Sequence, residues 1–167
     1  MKSHKMSSPQ SPASEKPSSH LETLILLETN LDDMPAEWFG PLLDQLLASG
    51  ALDAWFTSIQ MKKNRPAVQL SVLCPPERAD ELRALIFAHT STLGIRQREV
   101  QRYSLPRRVE TVETRFGTIR VKLAEYAPGQ WKVAPEFEDC LAAARAHNVP
   151  LAEVYRSTLA AWDCSAS

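Results

Sequence analysis

An α+β fold with antiparallel sheets is predicted from three observations on the sequence. The short apolar run at residues 24–27 is typical of a strand buried on both faces. Apolar residues recur every three or four positions over residues 38–47, which indicates an amphipathic helix. Apolar and polar residues alternate over residues 68–72, which indicates a strand. The 167 residues suffice for one domain, or for two small lobes with a buried core.

The first helix is predicted between two local signals that follow the first strand. Asp33 and Pro35 favour a helix start, because Asp accepts hydrogen bonds from first-turn amides and Pro tolerates early helical positions. Gly50 favours its end, because glycine readily adopts the left-handed conformation that closes helices.

The remaining elements complete a β-α-β-β-α-β order, which predicts a ferredoxin-like lobe: a four-stranded antiparallel sheet with two helices on one face. A β-hairpin and two C-terminal helices follow. The predicted elements are strands at 52–61, 68–73 and 95–103, a helix from 75 to before 94, a hairpin at 109–114 and 118–124, and helices at 135–147 and 151–162. The predicted organisation is a disordered leader at 1–20, the ferredoxin-like lobe at 21–105, and the hairpin and helical lobe at 106–167.

Composition excludes several classes of protein. The three cysteines are widely spaced and form no CxxC, which argues against a disulfide scaffold and a thiolate zinc site and fits a reducing compartment. The formal charge of −1 argues against a general nucleic-acid binder. No apolar run approaches the roughly 20 residues of a membrane helix. We therefore expect a cytoplasmic protein that binds neither nucleic acid nor a membrane.

Three carboxylates and an amide lie where the first strand ends and the helix is expected to begin: Glu28, Asn30, Asp32 and Asp33. Hard divalent cations prefer oxygen ligands, so a metal or substrate role is one interpretation. Helix capping by Asp33, with Asp32 in solvent, is the other.

Three cations occupy the predicted hairpin turn, Lys62, Lys63 and Arg65. They could hold a triphosphate, with lysines as point charges and arginine as a bidentate donor. They could equally be solvated charges that discourage edge pairing.

Two further clusters have a functional and a structural interpretation. Thr92 and Arg96 flank the turn after the second helix, where hydroxyl groups could donate to phosphate oxygens or satisfy helix carbonyls. Glu136, Glu138 and Asp139 open a later helix, where acids could bind a metal or simply favour the helix dipole.

Taken together, seven short motifs in one order resemble the C-terminal domain of the LarC family, the nickel insertion proteins of nickel-pincer cofactor biosynthesis. The resemblance covers residues 22–162. The motifs are ETNLDD at 28–33, GALDA at 50–54, MKKNRP at 61–66, TLGIR at 92–96, Phe116-Gly117 before Arg120-Val121-Lys122, PEFEDC at 135–140 and PLAEVY at 150–155.

The resemblance implies a CTP-dependent nickel chelatase (a cyclometallase of the lyase class) that acts on pyridinium-3,5-bisthiocarboxylic acid mononucleotide. In that family CTP is cleaved to CMP and diphosphate with Mn or Mg, nickel is the inserted metal, and the product serves lactate racemase. The implied nucleotide-binding residues are Lys62, Lys63, Arg65, Thr92 and Arg96, and the implied metal or nucleoside residues are Asp32, Asp33, Glu136, Glu138 and Asp139. No catalytic residue is assigned.

The resemblance also implies partners. Family members carry a larger N-terminal domain, where softer nickel ligands are expected. Either a separate protein with that nickel-binding domain supplies it here, or this chain is a fragment or a diverged remnant. Exposed strands at 96–124 need covering, which favours a homo-oligomer, expected as a trimer or hexamer.

Two other functions stay open at this stage. A nucleotide- or metabolite-sensing regulatory module is one, because ferredoxin-like sheets host many ligand sites and fold does not fix function. A helix-turn-helix-like stretch at 143–154 suggests nucleic-acid binding. However, the last helix carries only Arg156 as a cation, too little to read a groove.

Overall fold

A computed structural model describes residues 20–165 and confirms the predicted α+β fold. The described residues form two compact units, one of residues 21–103 and one that contains the residues from Ser104 onward. His20 begins the first strand, and the rest of the predicted leader lies outside the described residues.

The first unit has the predicted ferredoxin-like order. Its four-stranded sheet runs β2-β3-β1-β4, and β1 and β2 both pair antiparallel with β3. The elements are β1 His20–Leu31, α1 Phe39–Ala48, β2 Asp53–Met61, β3 Arg65–Cys74, α2 Ala79–His89 and β4 Arg96–Ser104.

Alternation along β1 separates the two faces of this sheet. Ile25, Leu27 and Leu31 pack with residues of α1 and α2, including the fully buried Leu46 and Leu82. A fully buried leucine stabilises the fold by about 1.5–3 kcal/mol, so this face anchors the unit. The opposite face carries the even-numbered residues of β1; Leu24 and Leu26 are buried there, whereas Glu28 and Asn30 are partly exposed.

The first helix begins later than predicted. It starts at Phe39 after a 3-10 turn at Ala36–Trp38, and no side chain caps either segment. Asp33 instead accepts a hydrogen bond from the Ser91 hydroxyl, 58 residues away. The capping interpretation of Asp33 is therefore wrong, because a distant loop takes the carboxylate that a local cap needs.

The second unit contains a three-stranded sheet, where only a hairpin was predicted. Its order is β5-β6-β7, and α3 and α4 cover one face through buried residues of β6 such as Ile119. The missed strand, β7, is short (QWKVAP), and only Val133 and Pro135 are partly buried. The elements are β5 Arg107–Thr114, β6 Gly117–Ala127, β7 Gln130–Pro135, α3 Phe137–His147 and α4 Leu151–Ser165. Within residues 20–165, no helix is long and apolar enough to cross a membrane.

Candidate anion-binding site

The candidate site lies at one end of the first sheet, where β1 ends and β3 and β4 begin. Because β1 and β3 are antiparallel neighbours, the end of one lies beside the start of the other. Side-chain pairs between β1 and β4 also run in opposite order, from Glu22 with Arg102 to Asn30 with Arg96. All five predicted nucleotide-binding residues lie in the segments that meet here: Lys62 and Lys63 just before β3, Arg65 at its start, Thr92 just before β4 and Arg96 at its start.

The β2–β3 turn carries two lysines, Lys62 and Lys63. Lys62 and Lys63 are exposed, and neither forms an ion pair with any residue in 20–165. Lys63 and Asn64 have positive φ angles of 61° and 55°. Asn tolerates this region, but Lys rarely adopts it, and such strained residues cluster at functional sites.

Two arginines at this end of the sheet are held by side chains at the end of the first strand or just after it. Arg65 donates to the Asp32 carboxylate over 3.0 Å. Arg96 donates to the Asn30 side-chain oxygen over 2.8 Å. Each guanidinium has five donors, so both retain N–H groups for a ligand.

Two further residues of this region, Gln69 and Arg98, were not singled out by the sequence analysis. The Glu28 carboxylate accepts a hydrogen bond from the Gln69 amide over 2.5 Å and lies 3.3 Å from the Arg98 guanidinium. Glu28 belongs to the acidic cluster found in the sequence, and alternation along β1 places it on the same face as Asn30.

Hydroxyl groups join the loop before β4 to the end of β1. The Thr29 and Thr92 hydroxyl oxygens lie 2.5 Å apart, and each is 2.9 Å from the carbonyl oxygen of Gly94. Thr90 donates to the Ile86 carbonyl in the last turn of α2 over 2.7 Å. Thr90 therefore satisfies a helix carbonyl, whereas Thr92 holds the loop against the strand.

A cavity of about 430 Å³ opens beside this loop, between α1 and α2. Trp38, Pro41 and Leu42 form an apolar wall, and Gln45 and His89 contribute polar groups. Ser91, which binds Asp33, also lines it. The cavity is thus adjacent to the segment that contains Thr92.

The second unit holds the other predicted metal residues, and there Asp139 is already paired. Its carboxylate accepts hydrogen bonds from the Arg120 guanidinium over 2.7 and 2.8 Å and from the Arg120 backbone N–H over 3.0 Å. These bonds hold the pKa of Asp139 at about 2, below its usual 3.8. The same hydrogen bonding raises the pKa of Arg120.

The two glutamates near Asp139 differ in their ion pairing. Glu136 forms an ion pair with Lys122 at 2.9 Å. Glu138 is exposed and forms no ion pair with a residue in the described chain. No group of three or more His, Cys, Asp or Glu side chains within residues 20–165 is arranged to hold a metal ion. The metal role of Asp32, Asp33, Glu136, Glu138 and Asp139 stays a prediction.

The segments at this end of the first sheet carry an excess of positive charge. They contain five cations and three carboxylates; the cations are Lys62, Lys63, Arg65, Arg96 and Arg98, and the carboxylates are Glu28, Asp32 and Asp33. Arginine forks and lysine point charges are the usual protein partners of phosphate groups.

Comparisons with known proteins all indicate the same family. The family model described as nickel insertion protein matches residues 6–155. A pyridinium-3,5-bisthiocarboxylic acid mononucleotide nickel insertion protein of Thermotoga petrophila is 42% identical over 133 residues, which cover 80% of this chain and 34% of that protein. The chain spans about a third of the length of the curated relatives it matches.

Two solved structures share the fold. One is LarC2, the C-terminal domain of a cyclometallase involved in the synthesis of the NPN cofactor of lactate racemase, in its apo form; it is 40% identical with a TM-score of 0.81, and the match covers 86% of this chain and 99% of that one. The other is protein MK0293 of Methanopyrus kandleri, which is 29% identical with a TM-score of 0.60, over 86% of this chain and 91% of that one.

Proposed function

The chain belongs to the nickel insertion protein family, and we propose that it binds CTP and a divalent cation for the family's reaction. That reaction is the insertion of nickel into pyridinium-3,5-bisthiocarboxylic acid mononucleotide, with cleavage of CTP to CMP and diphosphate. Its product is the nickel-pincer cofactor of lactate racemase. CTP, nickel and the mononucleotide are substrates, and a nickel-binding domain outside this chain completes the activity. We place the reaction in the cytoplasm, in a homo-oligomer.

One observation carries this proposal: the predicted phosphate-binding residues lie in the segments that meet at one end of a sheet. Lys62 and Lys63 have no charge partner in the described chain. Hydrogen bonds to Asp32 and Asn30, at the end of β1, hold Arg65 and Arg96 in place. A triphosphate carries several negative charges along its length, so several separated cations are needed to bind it. This arrangement favours the outer phosphates of a nucleotide over a single phosphate group.

The acidic residues beside these cations fit a hard divalent cation such as Mn²⁺ or Mg²⁺. Such cations take carboxylate oxygens, and with nucleotides they usually need only one or two protein carboxylates besides the phosphates. Asp32 and Asp33 would hold it. A bound cation of this kind neutralises phosphate charge and polarises a phosphoryl oxygen.

The chain's own side chains then bind and orient the nucleotide. Arg65 and Arg96 donate N–H groups to phosphate oxygens from fixed positions. Lys62 and Lys63 supply point charges from the turn. The hydroxyl of Thr92, held against Thr29 and Gly94, fixes the loop that leads to Arg96.

Calorimetric titration of the chain with CTP and CMP, each with and without Mn²⁺, tests the proposal. We expect CTP to bind at least tenfold more tightly than CMP, and Mn²⁺ to strengthen CTP binding. Equal affinity for the two nucleotides would contradict triphosphate recognition. In a second experiment, a family nickel-binding domain, nickel and the mononucleotide are added to the chain. Tight CTP binding without diphosphate release would then favour a regulatory ligand-binding module instead.

A further inference from the structure

Three arginines at one end of the first sheet are each held by a different side chain at the end of β1. The pairs are Arg65 with Asp32 at 3.0 Å, Arg96 with Asn30 at 2.8 Å and Arg98 with Glu28 at 3.3 Å. Glu28 and Asn30 are alternate positions on β1, so their side chains share a face about 7 Å apart, and Asp32 follows the last residue of the strand. These three side chains therefore anchor three guanidinium groups at the same end of the sheet.

Glu28 is suited to hold Arg98 rather than to bind a ligand. Its side chain is only 14% exposed, and the Gln69 amide occupies its other oxygen at 2.5 Å. Gln69 lies on β3, in the position opposite Asn30. Glu28 is therefore fixed between two neighbouring strands.

Arg98, unlike Glu28, is exposed to solvent. Its side chain is 63% exposed, and the contact with Glu28 joins one terminal nitrogen of the guanidinium to one carboxylate oxygen. The remaining N–H groups are available to an anion. Because the guanidinium is already anchored, less conformational entropy is lost when a ligand binds.

We propose that Arg98 is a further phosphate-binding residue of this site, and that Glu28 and Asn30 are positioning residues for Arg98 and Arg96. The ligand class is an oligophosphate chain, such as the outer phosphates of a nucleoside triphosphate. This inference rests on the proposed function and extends its site by one guanidinium along β4.

Arg102 offers a matched control on the same strand and face. It also pairs with a β1 carboxylate, Glu22, at 3.0 Å. It lies four residues beyond Arg98, about 13 Å further from the candidate site. Charge removal at Arg102 therefore changes the same kind of ion pair outside the proposed site.

Binding of inorganic triphosphate and of CTP is measured by calorimetry for Arg98→Ala, Arg98→Lys and Arg102→Ala. We expect Arg98→Ala to weaken binding of both ligands about tenfold or more, and Arg98→Lys to restore part of the loss. Arg102→Ala should stay within about twofold of the wild type. Wild-type affinity in Arg98→Ala, or equal losses in the Arg98→Ala and Arg102→Ala variants, overturns the inference.

A double-mutant cycle tests the positioning role. Glu28→Gln should weaken triphosphate binding severalfold alone and have no further effect in the Arg98→Ala background, because the residue acts through Arg98. Independent, additive losses would show that Glu28 acts otherwise. Arg65→Ala separates the two claims: if it weakens binding while Arg98→Ala does not, only this inference fails. If the wild-type chain binds neither ligand, the proposed function fails too.

Discussion

Two clusters of positive charge, one in each unit, differ in how they are paired. In the second unit, Arg120 and Lys122 are each matched by an acid of the segment that opens α3, at 2.7 and 2.9 Å. In the first unit, Arg65 is matched by Asp32, but Lys62 and Lys63 have no ion-pair partner among the described residues. We expect the fully matched cluster to stabilise the fold and the partly matched cluster to bind a ligand, although both are short runs of charge in the sequence.

Among the single substitutions, loss of the Arg65 guanidinium should weaken CTP binding the most. Removing a charge-assisted hydrogen bond costs about 1.5–3 kcal/mol, so Arg65→Ala should weaken CTP binding roughly ten- to hundredfold. Arg65→Lys should also be impaired, because a point charge cannot reproduce a bidentate fork. CMP affinity should change much less. Calorimetry measures all three.

Arg78→Ala is the control for that prediction. Arg78 is an exposed arginine of the same unit whose ion pair with Glu81 is also 3.0 Å long, but it lies on the segment that opens α2. Its loss should leave CTP affinity unchanged. If Arg78→Ala and Arg65→Ala weakened binding alike, the effect would come from net charge and not from this site.

Lys63→Gly should separate binding from stability within the turn. Glycine adopts positive φ without the steric cost that lysine has, so the variant should be about 0.5–1 kcal/mol more stable. Its CTP affinity should fall severalfold, because a cation is lost. Thermal unfolding and calorimetry on the same sample check both. A less stable variant would show that the lysine side chain supports the turn.

Acid unfolding should depend on the ion pair between Asp139 and Arg120 in the second unit. The pKa of Asp139 is about 2 in the folded protein, below the usual 3.8. A lowered folded-state pKa contributes stability above the unfolded value, and this contribution is lost as the pH falls from about 4 to about 2. Asp139→Asn should therefore reduce the pH dependence of stability in that window. An unchanged acid profile would contradict the structural role of the pair.

Much of the fold follows from local patterns in the sequence. Three patterns formed by residues close in the sequence were sufficient: the apolar run at residues 24–27, the spacing of apolar residues in α1 and the alternation in β3. β7 escaped prediction because it is only six residues long and none of them is fully buried. The start of α1 was wrong because Asp33 binds a loop 58 residues away.

The candidate site was predictable only in part. Runs of charge identified Lys62, Lys63 and Arg65, because such residue types suit phosphate wherever they occur. Arg98 was not singled out, and the contact of Glu28 with Arg98 was not foreseen, because both depend on which strands become neighbours. Likewise, the sequence could not distinguish the matched Asp139 from the unmatched lysines, since the partner of Asp139 lies 19 residues away on β6.

CTP affinity and melting temperature, measured together on Lys62→Ala and Asp139→Ala, distinguish a binding cluster in the first unit from a structural cluster in the second. We expect Lys62→Ala to lose roughly tenfold or more in CTP affinity with its melting temperature unchanged. We expect Asp139→Ala to melt about 2–4 °C lower with its affinity for CTP and Mn²⁺ unchanged. The reverse pattern, with intact CTP binding in Lys62→Ala and weakened Mn²⁺-dependent binding in Asp139→Ala, would place the nucleotide at the second unit and contradict this assignment.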